Sequence, residues 1–187
     1  MKQKLNRMSF QTPLGTSKYT YLNRPDDKYD PQNPKWKTDL ILDNGDEGLI
    51  DKIRECNKQW HGNAKNLKEP IEQDEETGHY ILRNVWSKKT PTFCDSTGKV
   101  IVPMEDNTNI PQIWAGSKIR LKGEIVELTM PTKGVRLQLS SVQIVDPIGP
   151  SADVGFEAVE GGFVAEDVPM ESFNETEQSE PTQAANF

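Results

Sequence analysis

"SKIRLKGEIVEL" (residues 117–128) and "GVRLQLSSVQIV" (residues 134–145) stand on either side of the short linker "TMPTKG" (residues 129–134). In the first, Ile119 and Leu121 alternate with Lys118, Arg120 and Lys122. A period of two is the signature of a half-buried strand, one face apolar and the other charged. In the second, Leu137 and Leu139 share one parity, whereas Val142 and Ile144 have the other. One extra residue near Ser140–Ser141 would restore the face, which is what a β-bulge does. A long hairpin whose second strand must bend suits a sheet curling into a small barrel.

The rest of the chain fits that expectation. "KYTYLNRP" (residues 18–25) reads as a strand running into a loop rich in Pro, Asp and Asn. "KWKTDLILD" (residues 35–43) sets Trp36, Thr38, Leu40 and Leu42 against Lys35, Lys37, Asp39 and Ile41. The period then changes: Leu49, Ile53, Cys56 and Trp60 form a helical stripe, predicting one helix over about 46–60 with Asn44 or Asp46 as cap. Residues 61–78 read as polar loop. "HYILRNVW" (residues 79–86) is a further strand, and "FCDSTGKVIV" (residues 93–102) a hairpin turning at Ser96–Gly98. The fold class is mainly β, a small and mostly antiparallel barrel with one helix.

Charge divides the chain unevenly. Residues 1–145 hold all 22 Lys and Arg against 19 acids, a net of +3, while residues 146–187 hold the other ten acids and no base. The division predicts a folded domain over 1–147 and a flexible acidic tail over 148–187, ending on Phe187. No run of about 18 apolar residues could form a helical membrane span. The N-terminal "MKQKLNRMSF" lacks an apolar core, so no secretory leader is expected, and two cysteines suit a reducing cytoplasm. Cys56, His61, His79 and Cys94 match no paired zinc-ligand spacing, so neither metal nor cofactor is expected. Asp39, Asp43, Asp46, Glu47 and Asp51 could suggest a two-metal nuclease, but they cross a strand, a turn and a helix start. The expected protein is not an enzyme.

What remains is a set of cations with aromatics among them. Lys118, Arg120 and Lys122 share a face as a positive rail. Lys35 and Lys37, Arg83, Lys88–Lys89, Lys133 and Arg136 repeat the arrangement on other segments. A single strand of this kind is more commonly a solvated face, but several on one barrel face form a basic groove. A basic groove with aromatic platforms suits single-stranded nucleic acid, because every nucleotide offers a phosphate and a flat ring. Tyr80 and Trp86 share parity with Leu82, and Trp36 with Leu40, so all three are expected in the core. Tyr19, Tyr21 and Phe93 are left as candidates for base stacking.

Four stretches, "FQTPLGTSKYTYLNRPD", "NPKWKTDLIL", "IWAGSKIRLKGEI" and "GVRLQLSSVQIVD", occur in that order ahead of an acidic C-terminus ending in Phe187. As an ordered set they resemble the single-stranded DNA-binding proteins of podovirus-type tailed phages. The resemblance implies a five-stranded OB-fold barrel carrying a helix, a basic groove for single-stranded DNA, and a homodimer. It implies that Arg7, Lys35, Lys37, Arg83, Lys118, Arg120 and Lys122 lie at or near the groove. It also implies work in DNA replication, recombination and repair in the cytoplasm of an infected bacterium. The tail would then compete for the groove and, through Phe187, contact the phage DNA polymerase and helicase/primase. The chain departs from the family at "ELTMPTKG", where some members carry aromatics and this one has Leu128 and Met130. An OB-fold module that grips a protein instead of DNA is the alternative.

Overall fold

The computed structural model describes residues 5–43, 47–104 and 109–149. The chain divides into two units, Met1–Ala152 and Asp153–Phe187, and every described residue belongs to the first. The expected flexible tail and its terminal Phe187 therefore fall outside the described residues, apart from 148 and 149, as do the proposed helix caps Asn44 and Asp46.

The described residues form eight strands and one helix: β1 (Arg7–Gln11), β2 (Gly15–Asp26), β3 (Lys35–Leu42), α1 (Glu47–His61), β4 (Ile71–Gln73), β5 (Tyr80–Ser87), β6 (Thr92–Cys94), β7 (Lys118–Leu128) and β8 (Gly134–Asp146). Five strands close a ring in the order β7-β2-β3-β5-β8, which returns to β7 through the long antiparallel β7–β8 hairpin. Neighbours in the ring are antiparallel except β5 and β8, which run parallel through the pair Trp86↔Gln138. This is the connectivity of an OB-fold, a five-stranded Greek-key barrel. The expected fold class is thus the observed one, with β1, β4 and β6 added at the margins of the ring.

Irregularities bend the strands enough to close it. Lys122 pairs Ser141 and Gly123 pairs Leu139, so Ser140 is the extra residue expected from the parity switch in β8. The adjoining Gly123 is a place where only hydrogen fits. A Cβ there would lie 2.0 Å from the Gln138 carbonyl oxygen. In β5, two residues stand between Val85↔Thr38 and Leu82↔Leu40 where β3 has only Asp39. Asn84 takes φ of 54° in this bulge and donates its N–H to Asp39 Oδ1 at 2.6 Å.

The interior is lined by Leu40 and Leu42 of β3, Leu82 and Val85 of β5, Ile119, Leu121 and Ile125 of β7, and Leu137, Val142 and Ile144 of β8, all at or near zero exposure. Along α1, Leu49, Ile53 and Cys56 are buried as the stripe predicted, joined by Ile50. The helix packs against β7 and β8 and covers that part of the barrel. The segment expected to be polar loop contains the short β4 on the outer side of β5. The hairpin around Ser96–Gly98 turns where expected, with Asp95 Oδ1 accepting from the N–H groups of Thr97 and Lys99. Its first arm, however, pairs in parallel with β8 rather than chiefly with its second arm.

Candidate nucleic-acid interface

Four ring strands contribute one residue each to a row that crosses the outer face of the sheet. Tyr21 of β2 stands opposite Lys37 of β3, Lys37 opposite Trp86 of β5, and Trp86 opposite Gln138 of β8. Directly paired residues present side chains on the same face, and all four are half-buried rather than core. One step along the strands lie Lys35, Lys88 and Arg136, with Tyr19 and Arg83 beyond them.

Aromatic rings and cations are interleaved here at contact distance. The Lys35 Nζ lies 5.1 Å and the Arg136 Cζ 4.8 Å from the Trp86 ring. Lys37 stands 5.0 Å from the Tyr21 ring, and Lys18 and Arg83 stand 5.5 and 5.9 Å from that of Tyr19. Each contact contributes about 0.5–1 kcal/mol at an exposed site and fixes a positive charge beside a flat apolar surface. Tyr19 owes its 61% exposure to a β2 bulge in which its φ is 48°, which turns the ring outward. Trp86 lines two adjoining depressions, of about 590 and 240 Å³, together with Arg136. The larger also contains Lys35, Arg83 and Met130, the last 81% exposed on the β7–β8 loop, and the smaller contains Lys88 and Lys89.

The expected cations differ in what already holds them. Lys37 pairs with Asp26, Arg7 with Glu124 at 2.7 Å, and Arg83 with Asp39 at 3.2 Å and Glu72 at 3.4 Å. Among the described residues no carboxylate lies within ion-pairing distance of Lys35, Lys88, Lys89 or Arg136. Burial lowers the pKa of Arg136, and repulsion from Arg7 lowers it further. Arginine nonetheless keeps its charge, so the guanidinium is a partly desolvated cation without a carboxylate partner among the described residues. Such a group gains most from an incoming anion.

The rail on β7 is placed differently. Lys118, Arg120 and Lys122 do share the outer face, with Ile119 and Leu121 inward. Lys118 is held by Asp43 at 2.6 Å and by Thr16 at 2.7 Å. Burial raises the Asp43 pKa, but hydrogen bonds from Lys118 and Thr16 outweigh it and hold the carboxyl below its ordinary value. Arg120 donates to the Thr12 carbonyl at 3.3 Å, and with Lys122 it lines a separate depression against β6 and β8. Lys133 is exposed in the β7–β8 turn. The structure thus gathers Lys35, Arg83, Trp86, Lys88, Lys89 and Arg136, and leaves Arg120 and Lys122 in a depression of their own.

Two aromatic assignments are corrected. Phe93 is 2% exposed and belongs to the core, so it presents no face to a base. Trp86 leaves the core because the extra residue in the Asn84 bulge reverses its parity relative to Leu82. Trp36 and Tyr80 pack against the core as expected. Of the acidic residues that suggested a nuclease, Asp39 is engaged with Asn84 and Arg83, and Asp43 with Thr16 and Lys118, while Asp46 lies outside the described residues. Among the described residues no group of three or more His, Cys, Asp or Glu side chains could hold a metal. Sequence reasoning also passed over Trp114, 48% exposed in the turn before β7. Its only signal was a tryptophan among Pro, Gln and Gly, where no core strand can run.

No protein-family model and no curated protein sequence matches this chain. Among solved structures, the fold is similar to that of gp2.5, a single-stranded DNA-binding protein encoded by bacteriophage T7, with TM-score 0.60, 23% identity, and coverage of 86% of this chain and 100% of that one. It is similar also to the single-stranded DNA-binding protein from bacteriophage Enc34 in complex with ssDNA, with TM-score 0.57, 15% identity, and coverage of 76% and 88% respectively.

Proposed function

We propose that this protein binds single-stranded DNA without catalysing a reaction on it, across the outer face of β2, β3, β5 and β8. The observation that carries the reading is the half-buried Trp86 indole with Lys35 and Arg136 close to its ring, two cations without carboxylate partners among the described residues. A base stacked at Trp86 would have its neighbouring phosphates beside those cations. Stacking contributes about 1–3 kcal/mol per base and is indifferent to base identity. In OB-folds the second and third barrel strands, with the loops joining strands 1–2 and 4–5, form the face that binds oligonucleotides. Here those are β3, β5, the loop over 27–34 and the loop that carries Met130. Both similar phage proteins are single-stranded DNA-binding proteins, and one was solved with ssDNA.

In this reading the protein coats and protects single strands during phage DNA replication, recombination and repair, as a homodimer in the cytoplasm of the infected bacterium. The nine acids after Gly149 compete with DNA for the basic face. Displaced, the tail offers Phe187 to the DNA polymerase or helicase/primase. The test is titration of the full chain with labelled oligonucleotides of unrelated sequence. Binding should be similar for all of them, should exceed binding to duplex, and should weaken about 5- to 150-fold in Trp86→Ala, the loss of one stacked base. Absence of binding to any single strand would leave a protein-gripping OB module as the better account.

A further inference from the structure

Beside the row Tyr21–Lys37–Trp86–Gln138 lies a depression of about 630 Å³ that the sheet face alone does not explain. Tyr21 forms one wall, and Asn23, Arg24, Gln112 and Trp114 form much of the rest. We infer that this depression is a further nucleotide subsite, with Trp114 as the stacking platform and Arg24 as the phosphate contact. The inference rests on the reading of the sheet face as a single-stranded DNA site and extends that site past Tyr21.

Trp114 has the properties of a preformed platform. Nearly half its surface is exposed, yet its backbone is fixed on every side. Its N–H donates to the Ile148 carbonyl at 2.9 Å, and its carbonyl accepts from Ser17 Oγ at 2.8 Å and the Ser117 N–H at 3.1 Å. Gly116, at φ +96°, supplies the left-handed residue of the turn that carries it. The preceding residue is clamped as well. Asn23 accepts the Ile113 N–H at 2.8 Å and donates to the Ile113 carbonyl at 3.2 Å. The indole Nε1 donates to Gln112 Oε1 at 3.4 Å, which orients the ring from its edge. A large ring exposed on so constrained a backbone loses little entropy when a base stacks on it. A solvated surface turn has no need of such anchoring.

The polar groups suit a nucleotide. Arg24 is exposed and has no carboxylate within ion-pairing distance among the described residues. Both polar groups of the Asn23 side chain are occupied by backbone, whereas the Gln112 amide nitrogen has no hydrogen-bond partner among the described residues and can meet a base edge. Because Tyr21 belongs both to the sheet row and to this depression, a strand leaving Trp86 along the row arrives here without crossing unoccupied surface.

The test uses the full chain, labelled oligothymidylates of stepwise increasing length, and the variants Trp114→Ala, Trp114→Phe and Arg24→Ala. Parent affinity should rise with length until the subsite is filled. Trp114→Ala should bind the shortest oligomers like the parent, lose about 5- to 150-fold on the longest, and reach its plateau about one nucleotide earlier. Trp114→Phe should recover most of the loss. Arg24→Ala touches no packed group, and it should lower the salt slope by about 0.7 on long oligomers only. If both alanine variants keep the parent's length and salt dependence while the parent binds DNA, the subsite is wrong and the sheet-face reading stands. If the parent binds no single strand of any length, both fall together.

Discussion

Arg136→Ala removes a cation lining the Trp86 depressions that, like Lys35, Lys88 and Lys89 there, has no carboxylate within ion-pairing distance among the described residues. Each cation that neutralises a phosphate of a single strand contributes about −0.7 to the slope of log affinity against log salt. Four such contacts give a slope of about −2.8, so a tenfold rise in salt weakens binding about 600-fold. Three leave about −2.1, and the same rise costs about 130-fold. Lys118→Ala is the matched control. Its ammonium is already neutralised by Asp43, so its loss should leave the slope unchanged. The assay is fluorescence titration with an oligothymidylate too short to reach Arg24, at salt concentrations from about 0.05 to 0.5 M, a range that spans the decade over which counter-ion release is read. A parent-like slope in Arg136→Ala, with a reduced slope in Arg120→Ala or Lys122→Ala, would refute the reasoning and move the phosphate track to the β7 depression.

Gly123→Ala should destabilise the barrel by roughly 3 kcal/mol or more, measured by denaturant unfolding, since its Cβ would strike the Gln138 backbone oxygen across the β7–β8 pair. Asp43→Asn should cost up to about 1 kcal/mol at neutral pH, as a partly exposed ion pair does. The folded-state pKa of Asp43 is depressed, so its contribution is present above the unfolded carboxylate's pKa and is lost as pH falls through the lower folded value. The gap between Asp43→Asn and the parent should therefore close below about pH 4 in thermal melts. A chain cut after Gly149 keeps Ile148, whose backbone bonds to Trp114 and Ser117, but loses nine acids. It should bind single strands more tightly than the full chain, most clearly at low salt, whereas removing Phe187 alone should leave DNA affinity unchanged and abolish polymerase or helicase binding.

Alternation was enough to locate β3, β7 and β8, because core side chains recur at every second position along most of each strand. The parity switch in β8 even located the Ser140 bulge. What single-strand patterns do not carry is pairing between distant segments. The parallel β5–β8 contact and the docking of β1 along β7 depend on ring closure, and nothing local to "RMSFQ" announces them. Trp86 and Phe93 show the same limit at the site. One bulged residue at Asn84 moves the indole from the predicted core to the surface. A three-residue strand was too short for any periodicity to show that Phe93 points inward. The cation types were readable throughout, but which of them are free was not. That depends on carboxylates such as Asp43 and Asp26, brought close only by the fold.

The barrel ring is completed at β5 and β8 by the parallel pair Trp86↔Gln138, in contrast to the eleven paired positions between β7 and β8. The face described above straddles that seam, with Trp86 and Lys35 on one side and Arg136 on the other. Any ligand held by both sides acts as a rivet through a thinly paired joint of the barrel. Free energy of binding then becomes resistance to opening, as RT ln(1 + [L]/Kd) requires for a ligand that recognises only the closed ring. A strand of nucleic acid laid there would be sheltered by the protein and would, by the same contacts, keep its shelter shut.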